Sequence, residues 1–373
     1  MKIWLKNPLC ILAENSDGGI LVEDKKIIEL IPSGKQPSTS YDSIFDAHNH
    51  IILPGLINLH HHFYQTLTRV LPEAINKKLF PWLQTLYPIW SGLTPDALRV
   101  STRLALAELL LSGCTTTSDH HYIFPSGLDN AIDIQVEEAN NLGIRVILCR
   151  GSMDLSQKDG GLPPDTVVQK SDEILEDSQR LIKKYHDTNQ GAMTQIALAP
   201  CSPFSVSEKL MIDTAIMAEE YDVLLHTHLA ETEDENRFCM EKMGCRPVEY
   251  LEKVGWLNKR TWLAHGIHFT EEEIFTLSKA KIGISHCPTS NMLLSSGVCR
   301  VPEIENAGIH VGLGVDGSAS NDASNLSYDV RIAFLLQRLH NGTKISHIDA
   351  LRWATEGGAN VLQRTELGRI AQG

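Results

Sequence analysis

Two histidines, one residue apart, follow an apolar stretch early in the chain. If that stretch is a β-strand, His60 and His62 point to the same side, because side chains alternate between the two faces of a strand. Neutral imidazole is among the commonest ligands of divalent metal ions. The spacing therefore predicts a two-pronged metal ligand, and further ligands are needed to complete a site.

Three more candidate ligands end later strand-like segments. His228, His265 and Asp316 each close an apolar run and are followed by loop-like sequence. If these runs are parallel strands of one barrel, their carboxyl ends meet at the mouth where barrel enzymes keep their active sites. Imidazoles with a carboxylate and an open coordination position suit Zn²⁺ or Fe²⁺ engaged in hydrolysis. We therefore expect one divalent ion, zinc in the first place and iron as the alternative.

Other histidines with the same spacing are interpreted differently. His48 and His50 precede the Pro54-Gly55 break, so we place them outside the barrel and do not expect them to bind metal. His226 lies one layer deeper in the strand that His228 ends, and packing in the core explains it.

The elements that must position these residues alternate in type from residue 56 onward. Segments with strand character span 56–60, 115–119, 145–149, 195–199, 223–228, 261–265, 282–286 and 310–316. Apolar residues spaced three and four apart predict helices at 96–111, 130–141, 171–185, 208–221 and 271–279. Eight alternating units predict an α/β protein with a closed (β/α)8 TIM-like barrel.

A doubly wound α/β sheet is the alternative fold. It should carry a glycine-rich phosphate loop after its first strand, but here that strand ends in three histidines, and neither GxGxxG nor GxxxxGK[ST] occurs. Before the barrel, strand-like segments at 3–11, 19–22 and 26–31 are separated by turns. We therefore predict that 1–55 contributes to a small β-sandwich domain and that the barrel spans 56–365.

Composition excludes several classes of protein. The 373 residues are 42% hydrophobic and 21% charged, and no apolar run approaches the roughly 20 residues that span a bilayer. A formal net charge of −13 gives no general attraction to nucleic acid or to anionic lipid. Eight cysteines occur singly, which predicts reduced thiols. We expect a cytoplasmic protein that binds neither nucleic acid nor membrane.

Four motifs resemble those of the amidohydrolase superfamily, in its aminohydrolase (deaminase) branch. They are PGLINLHHH at 54–62, HLAET at 228–232, LAHG at 263–266 and GVDG at 314–317. They are similar to the family's motifs on strands one, five, six and eight, and the resemblance covers essentially the whole chain.

The resemblance implies a role for each polar residue at the mouth. It implies that one divalent ion is held by His60, His62, His228 and Asp316. His265 is a further candidate ligand that would hydrogen-bond the attacking water or the tetrahedral oxygen. Asp316 would also accept the proton of that water. Glu231 would protonate a ring nitrogen of the substrate as a general acid.

Stretches at 118–122, 238–239, 262–269 and 316–322 are more narrowly similar to 8-oxoguanine deaminases. The implied reaction converts 8-oxoguanine and water to urate and ammonia, with isocytosine-like bases as lesser substrates. The alternatives in the same branch are deamination of S-adenosylhomocysteine, methylthioadenosine or guanine, and hydrolysis of s-triazines. Guanine deaminases carry an arginine after strand four, where this chain has Pro200-Cys201-Ser202, which is compatible with an oxidised purine. A catalytically silent scaffold should have lost a ligand or the acid, and this chain retains them.

Substrate contacts are expected from a small set of side chains. Gln65, in a His-Phe-Tyr-Gln spacing that resembles guanine deaminases, presents both a donor and an acceptor to a purine edge. Trp82 covers the base by stacking or packs in the core, and His121 reaches the mouth from the end of strand two. Glu231 completes the set of expected contacts.

The C-terminal sequence departs from the family pattern. Relatives continue after the barrel with strands that complete the small β-sandwich, and 366–373 resembles the start of that return. We expect the sandwich to lack its second half in this sequence. The resemblance also implies a homo-oligomer.

Overall fold

A small β-unit begins and ends the chain. The structure, a computed structural model, describes every residue from Met1 to Gly373, and this unit comprises Met1–Gly55 and Arg364–Gly373. Its strands are Lys2–Lys6 (β1), Cys10–Ile11 (β2), Gly19–Glu23 (β3), Lys26–Ile31 (β4), Ser43–Asp46 (β5) and Ile51–Ile52 (β6). They form a four-stranded sheet in the order β4-β3-β1-β5 and a two-stranded sheet of β2 and β6.

Both faces of the larger sheet are covered by apolar side chains. Ile20 and Leu21, adjacent on β3, belong to two different clusters because neighbouring residues of a strand face opposite sides. Leu21 packs with Trp4, whereas Ile20 packs with Ile370 from the C-terminal segment. The segment 364–373 thus contributes a core residue to the small unit.

Eight parallel strands close into a barrel in the second unit, Leu56–Gln363. They are Leu56–Asn58 (β7), Cys114–His121 (β8), Arg145–Ser152 (β9), Thr194–Pro200 (β10), Leu225–Leu229 (β11), Thr261–His265 (β12), Gly283–His286 (β13) and Val311–Leu313 (β14). β14 pairs with β7 through Leu313 and Asn58, which closes the ring. The predicted (β/α)8 barrel is confirmed.

Helices surround the barrel and cover its mouth. They are Leu79–Trp90 (α1), Pro95–Leu111 (α2), Ala131–Leu142 (α3), Ser171–Tyr185 (α4), Glu208–Glu220 (α5), Glu233–Met243 (α6), Pro247–Lys253 (α7), Glu271–Ala280 (α8), Pro288–Leu293 (α9), Val301–Asn306 (α10), Leu326–Asn341 (α11), His347–Arg352 (α12) and Gly358–Val361 (α13). A 3₁₀ helix, Phe63–Thr68, follows the three histidines, and a π-helix, Trp353–Gly357, precedes α13. None of the helices is long and apolar enough to cross a membrane.

Several predicted boundaries are wrong, and each error has a local cause. The predicted strand 3–11 is interrupted, because Asn7 adopts a left-handed backbone with φ of 51°. The predicted strand 310–316 is too long, since pairing with β13 and β7 ends at Leu313; Asp316, beyond that end, is left-handed with φ of 62°. Helix α1 was not predicted because Pro81 and Pro88 lie within it; proline is tolerated in the first turn but disfavoured inside a helix. All eight cysteines are free thiols, as predicted.

Candidate metal centre and reaction cavity

The predicted ligands converge at the carboxyl end of the barrel. His60 Nε2 and His62 Nε2 each lie 3.3 Å from Asp316 Oδ1, and His62 Nε2 lies 3.2 Å from His228 Nε2. His265 Nε2 is 3.9 Å from Asp316 Oδ2. All five side chains are buried, and we call them the ligand face.

Backbone carbonyls fix the tautomers of two of these histidines. His62 Nδ1 donates to the carbonyl of His120 at 2.7 Å, and His228 Nδ1 donates to the carbonyl of Cys201 at 2.7 Å. A carbonyl oxygen only accepts, so in the neutral form of each ring the hydrogen is on Nδ1 and Nε2 presents a bare lone pair.

A second histidine fixes the tautomer of His60. His226 Nδ1 donates to the Trp262 carbonyl at 2.9 Å, so its Nε2 accepts from His60 Nδ1 at 2.7 Å. This leaves His60 Nε2 bare and without a hydrogen-bond partner. The His226 ring also stacks on the Trp262 indole, with centroids 4.2 Å apart. His226 therefore packs in the core as predicted, and in addition it orients a candidate ligand.

The carboxylate of Asp316 is held at both oxygens. Oδ1 accepts from the amide of Gly317 at 2.7 Å, and Oδ2 accepts from Ser290 Oγ at 2.6 Å. Burial raises the pKa of Asp316, but the close contacts with the His60 and His62 rings outweigh burial, and that pKa lies well below its usual value.

These groups fit a divalent cation. Burial lowers the pKa of His228 to about 3 and that of His60 well below 6.5, so both rings are neutral. The contact with Asp316 outweighs burial at His62 and raises the pKa of that ring, so metal binding at His62 competes with a proton. One ligand atom each from His60, His62 and His228 lies within 4.8 Å of the others, as does one each from His60, His265 and Asp316. Three imidazoles and a carboxylate are a donor set that zinc and iron(II) accept.

Strained backbone accompanies the site. Ala230, His265 and Asp316 have φ of 53°, 72° and 62°, in the left-handed region that non-glycine residues rarely adopt. Each follows or ends a strand at the same mouth. Such conformations cost roughly 1–3 kcal/mol each and are characteristic of functional sites.

Glu231 stands over the ligand face. Its Oε2 lies 3.5 Å from His265 Nε2, and Ser296 Oγ is 3.5 Å from its Oε1. Burial, followed by the negative charge of Asp316, raises the pKa of Glu231 to about 8. The carboxyl group is therefore protonated at neutral pH and able to donate.

A partly open cavity adjoins these groups, and the space within it, including adjoining solvent, is about 380 Å³. We call the side of the cavity formed by Gln65, Trp82, Tyr87, Tyr122, Cys201 and Phe204 the cavity wall. Leu79, Leu83 and Leu294 complete the apolar lining.

Two polar atoms of the cavity wall have no partner within the chain. Gln65 Oε1 and Tyr87 Oη are buried without a hydrogen bond. Gln65 also lies against the backbone that follows Asp316, since a Cβ at Gly317 would be 1.8 Å from Gln65 Oε1. Glycine at this position thus leaves room for the glutamine side chain.

The predicted substrate contacts are only partly brought together. Gln65 and Trp82 line the cavity with Glu231, whereas His121 is not among its lining residues. The His121 ring instead contacts Tyr64 and Phe124, with centroids 5.4 and 4.9 Å away. Its role in substrate binding stays a prediction without support from the cavity.

Three other histidines lie away from the ligand face, and two residues of the cavity wall were not predicted. His61 turns away from its neighbours, and its Nε2 lies 2.9 Å from Ser324 Oγ. His48 and His50 are exposed residues of the small unit. Tyr87 and Phe204 were missed, and only a correct prediction of α1 would have pointed to Tyr87.

Comparisons with known proteins agree with this geometry. Residues 51–373 match the model of the amidohydrolase family. The chain is 56% identical over 376 residues to an 8-oxoguanine deaminase of Pseudomonas aeruginosa, covering all of this chain and 84% of that protein. It is 37% identical over 327 residues to a hydroxydechloroatrazine ethylaminohydrolase of Pseudomonas sp. (86% and 68% covered). Among solved structures, a zinc-complexed atrazine chlorohydrolase of Arthrobacter aurescens TC1 superposes with a TM-score of 0.91 at 33% identity, covering all of this chain and 85% of that one.

Proposed function

The chain belongs to the amidohydrolase family, and we propose that it is a metal-dependent deaminase that converts 8-oxoguanine and water to urate and ammonia. The position of Glu231 carries the proposal, because a buried proton donor shares one cavity with a cluster of bare imidazole nitrogens. The 56% identity to an 8-oxoguanine deaminase supports the choice of substrate.

We propose that the ion is zinc and that His60, His62, His228 and Asp316 hold it. When bound, the ion supplies electrophilic activation of a water molecule at neutral pH. The zinc in the structure of a 33% identical relative supports this choice over iron.

The side chains around the cavity divide the proton transfers among themselves. Asp316 Oδ2 accepts the proton of the attacking water, and Ser290 holds that oxygen in place. His265 Nδ1 donates to Asn291 Oδ1 at 2.8 Å, so its Nε2 is an acceptor that orients the same water. Glu231 protonates the ring nitrogen next to the amino-bearing carbon, which makes that carbon more electrophilic. Asp316 then passes its proton to the amino group, and ammonia leaves as the carbon–nitrogen bond breaks. The proton of the newly added hydroxyl group returns to Glu231, which forms the product carbonyl and restores the acid.

The lining of the cavity favours a flat heterocyclic base. Aromatic side chains lie on several sides of it: Trp82, Tyr87, Tyr122 and Phe204. Cys201 lies in the cavity wall, at the position after strand four where guanine deaminases carry an arginine. Isocytosine-like bases remain lesser substrates in our proposal, and a homo-oligomer in the cytoplasm stays a prediction.

A substrate panel tests the proposal. Protein with a measured metal content is assayed for ammonia release from 8-oxoguanine, guanine, isocytosine, cytosine and S-adenosylhomocysteine. We expect the highest kcat/KM for 8-oxoguanine, together with formation of urate. Faster release from S-adenosylhomocysteine, or no release from any base, would overturn the assignment.

The variant Glu231→Gln tests the role of the acid. We expect kcat to fall at least about 1,000-fold, or about 4 kcal/mol in the barrier, with metal content unchanged, because an amide cannot donate that proton. Glu233→Gln is a matched control, since Glu233 is exposed and pairs with His268 at 2.9 Å. Turnover of Glu231→Gln at the wild-type rate would remove Glu231 from the mechanism.

A further inference from the structure

Glu235 of α6 is a second buried glutamate close to Glu231, and it has no positively charged side chain as a partner. Glu235 is fully buried, and no lysine, arginine or histidine forms an ion pair with it in the structure. Burial raises the pKa of Glu235 to about 8, against the lowering effect of hydrogen bonds from the Ala230 and Glu231 amides. Its Oε1 accepts from the Ala230 amide at 2.8 Å, and its Oε2 accepts from the Glu231 amide at 3.1 Å. Both oxygens are thus committed to the turn that carries the proposed acid.

That turn has an unfavourable backbone and is held from both sides. Ala230 is left-handed, with φ of 53°. Its carbonyl accepts from the amides of Ile267 and His268, both at 2.9 Å, while its own amide is bound by Glu235. The peptide groups on either side of the strained residue are therefore fixed in direction, and with them the direction in which Glu231 leaves the backbone.

An ordinary helix cap does not account for this contact. In α8, Thr270 is the N-cap and Glu273 reaches back to the Thr270 amide at 2.8 Å, which is a capping box. In α6, Thr232 is the N-cap and Glu235 occupies the equivalent position. Glu235, however, does not accept from the Thr232 amide. It accepts from the amides of the two preceding residues, Glu231 and Ala230.

We propose that Glu235 is a positioning residue that aims the Glu231 carboxyl at the reacting atoms by clamping the Ala230 and Glu231 amides. The proposal rests on the proposed function of Glu231 as the acid. A displacement of about 1 Å in a reacting group can lower a rate about 100-fold. Loss of the clamp therefore acts on proton transfer rather than on metal or substrate binding.

The variant Glu235→Gln tests the clamp. The amide keeps the size of the side chain but turns a donor toward one of the two backbone N–H groups. With 8-oxoguanine we expect kcat to fall about 10- to 100-fold, while KM and metal content change less than about twofold. Glu273→Gln, which alters the capping box of α8, is the matched control and should lower the melting temperature without lowering kcat. An unchanged kcat in Glu235→Gln, or a loss of metal in that variant, would overturn the proposal.

A double-mutant cycle separates positioning from a general structural role. If Glu235 acts through Glu231, Glu231→Gln/Glu235→Gln should be no slower than Glu231→Gln alone, whereas a further 10-fold loss would contradict the proposal. If Glu235→Gln does not fold, the cycle is measured in an Ala230→Gly background, where glycine adopts the positive φ without strain. Wild-type turnover of Glu231→Gln would defeat the proposed function itself. Wild-type turnover of Glu235→Gln, with Glu231→Gln inactive, would defeat the clamp alone.

Discussion

The ligand face and the cavity wall line the same cavity, but their polar atoms differ in whether they have hydrogen-bond partners within the chain. On the ligand face, the Nδ1 atom of each histidine donates a hydrogen bond to one acceptor. The acceptors are the backbone carbonyls of His120 and Cys201, Nε2 of His226, and Oδ1 of Asn291. On the cavity wall, Gln65 Oε1 and Tyr87 Oη have no partner.

This difference suggests a division of labour. Hydrogen bonds that fix ring orientation and tautomer prepare a site for one cation and one reaction. Unpartnered buried polar atoms lower stability unless a ligand satisfies them, so the cavity wall is prepared for a substrate. We expect changes on the ligand face to reduce metal binding or kcat, and changes on the cavity wall to raise KM.

Removing a proposed metal ligand should have the largest effect. His228→Ala deletes one of the bare nitrogens 3.2 Å from its neighbour, so we expect metal content to fall below half and kcat to fall at least about 1,000-fold for every base tested. Metal analysis and ammonia release measure both. His310→Ala, at an exposed histidine before β14, is the control that should keep metal and activity. Full metal content in His228→Ala would contradict the assignment of the ligand face to metal binding.

The ligand face was predictable from the sequence because its geometry follows from simple rules. Alternation along a strand placed His60 and His62 on one side and His61 on the other, and barrel topology brought Asp316 beside them across more than two hundred residues. The tautomer-fixing acceptors could not be predicted. Backbone carbonyls carry no signature in the sequence, and His226 resembled a core residue.

Changing the glutamine of the cavity wall should have an intermediate effect. Gln65→Leu removes the amide whose oxygen has no partner while keeping the bulk of the side chain, so the substrate loses a hydrogen-bonding group. We expect KM for 8-oxoguanine to rise about 5- to 150-fold, equivalent to about 1–3 kcal/mol, with metal content and kcat within about threefold. Steady-state kinetics resolve the two parameters. A fall in kcat with KM unchanged would place Gln65 with the ligand face.

The tyrosine should give the smallest change and has a separate signature in stability. Tyr87→Phe removes a buried hydroxyl that has no partner, so we expect the melting temperature to stay equal or rise, and KM to increase about 2- to 12-fold. Thermal unfolding and kinetics on the same preparation measure the two effects. A melting temperature lowered by more than about 2 °C, or about 1 kcal/mol, would show that the hydroxyl has a structural partner.

The cavity wall was only partly predictable, and the reason is physical. Tyr87 lies on α1, whose two prolines obscure the helical pattern, whereas Trp82 of the same helix was among the predicted contacts. Phe204 reaches the cavity from the loop after β10, where no periodicity applies. The positions of side chains on α1 and in the loop after β10 depend on tertiary packing. The spacing of residues in the sequence does not encode that packing.

Anomalous X-ray diffraction at the zinc edge, on crystals of the metal-loaded protein, tests the central claim most directly. We predict a single strong peak at about 2.0–2.2 Å from Nε2 of His60, His62 and His228 and from an oxygen of Asp316. A peak elsewhere in the chain, or these four side chains free of the ion in metal-loaded crystals, would contradict the account.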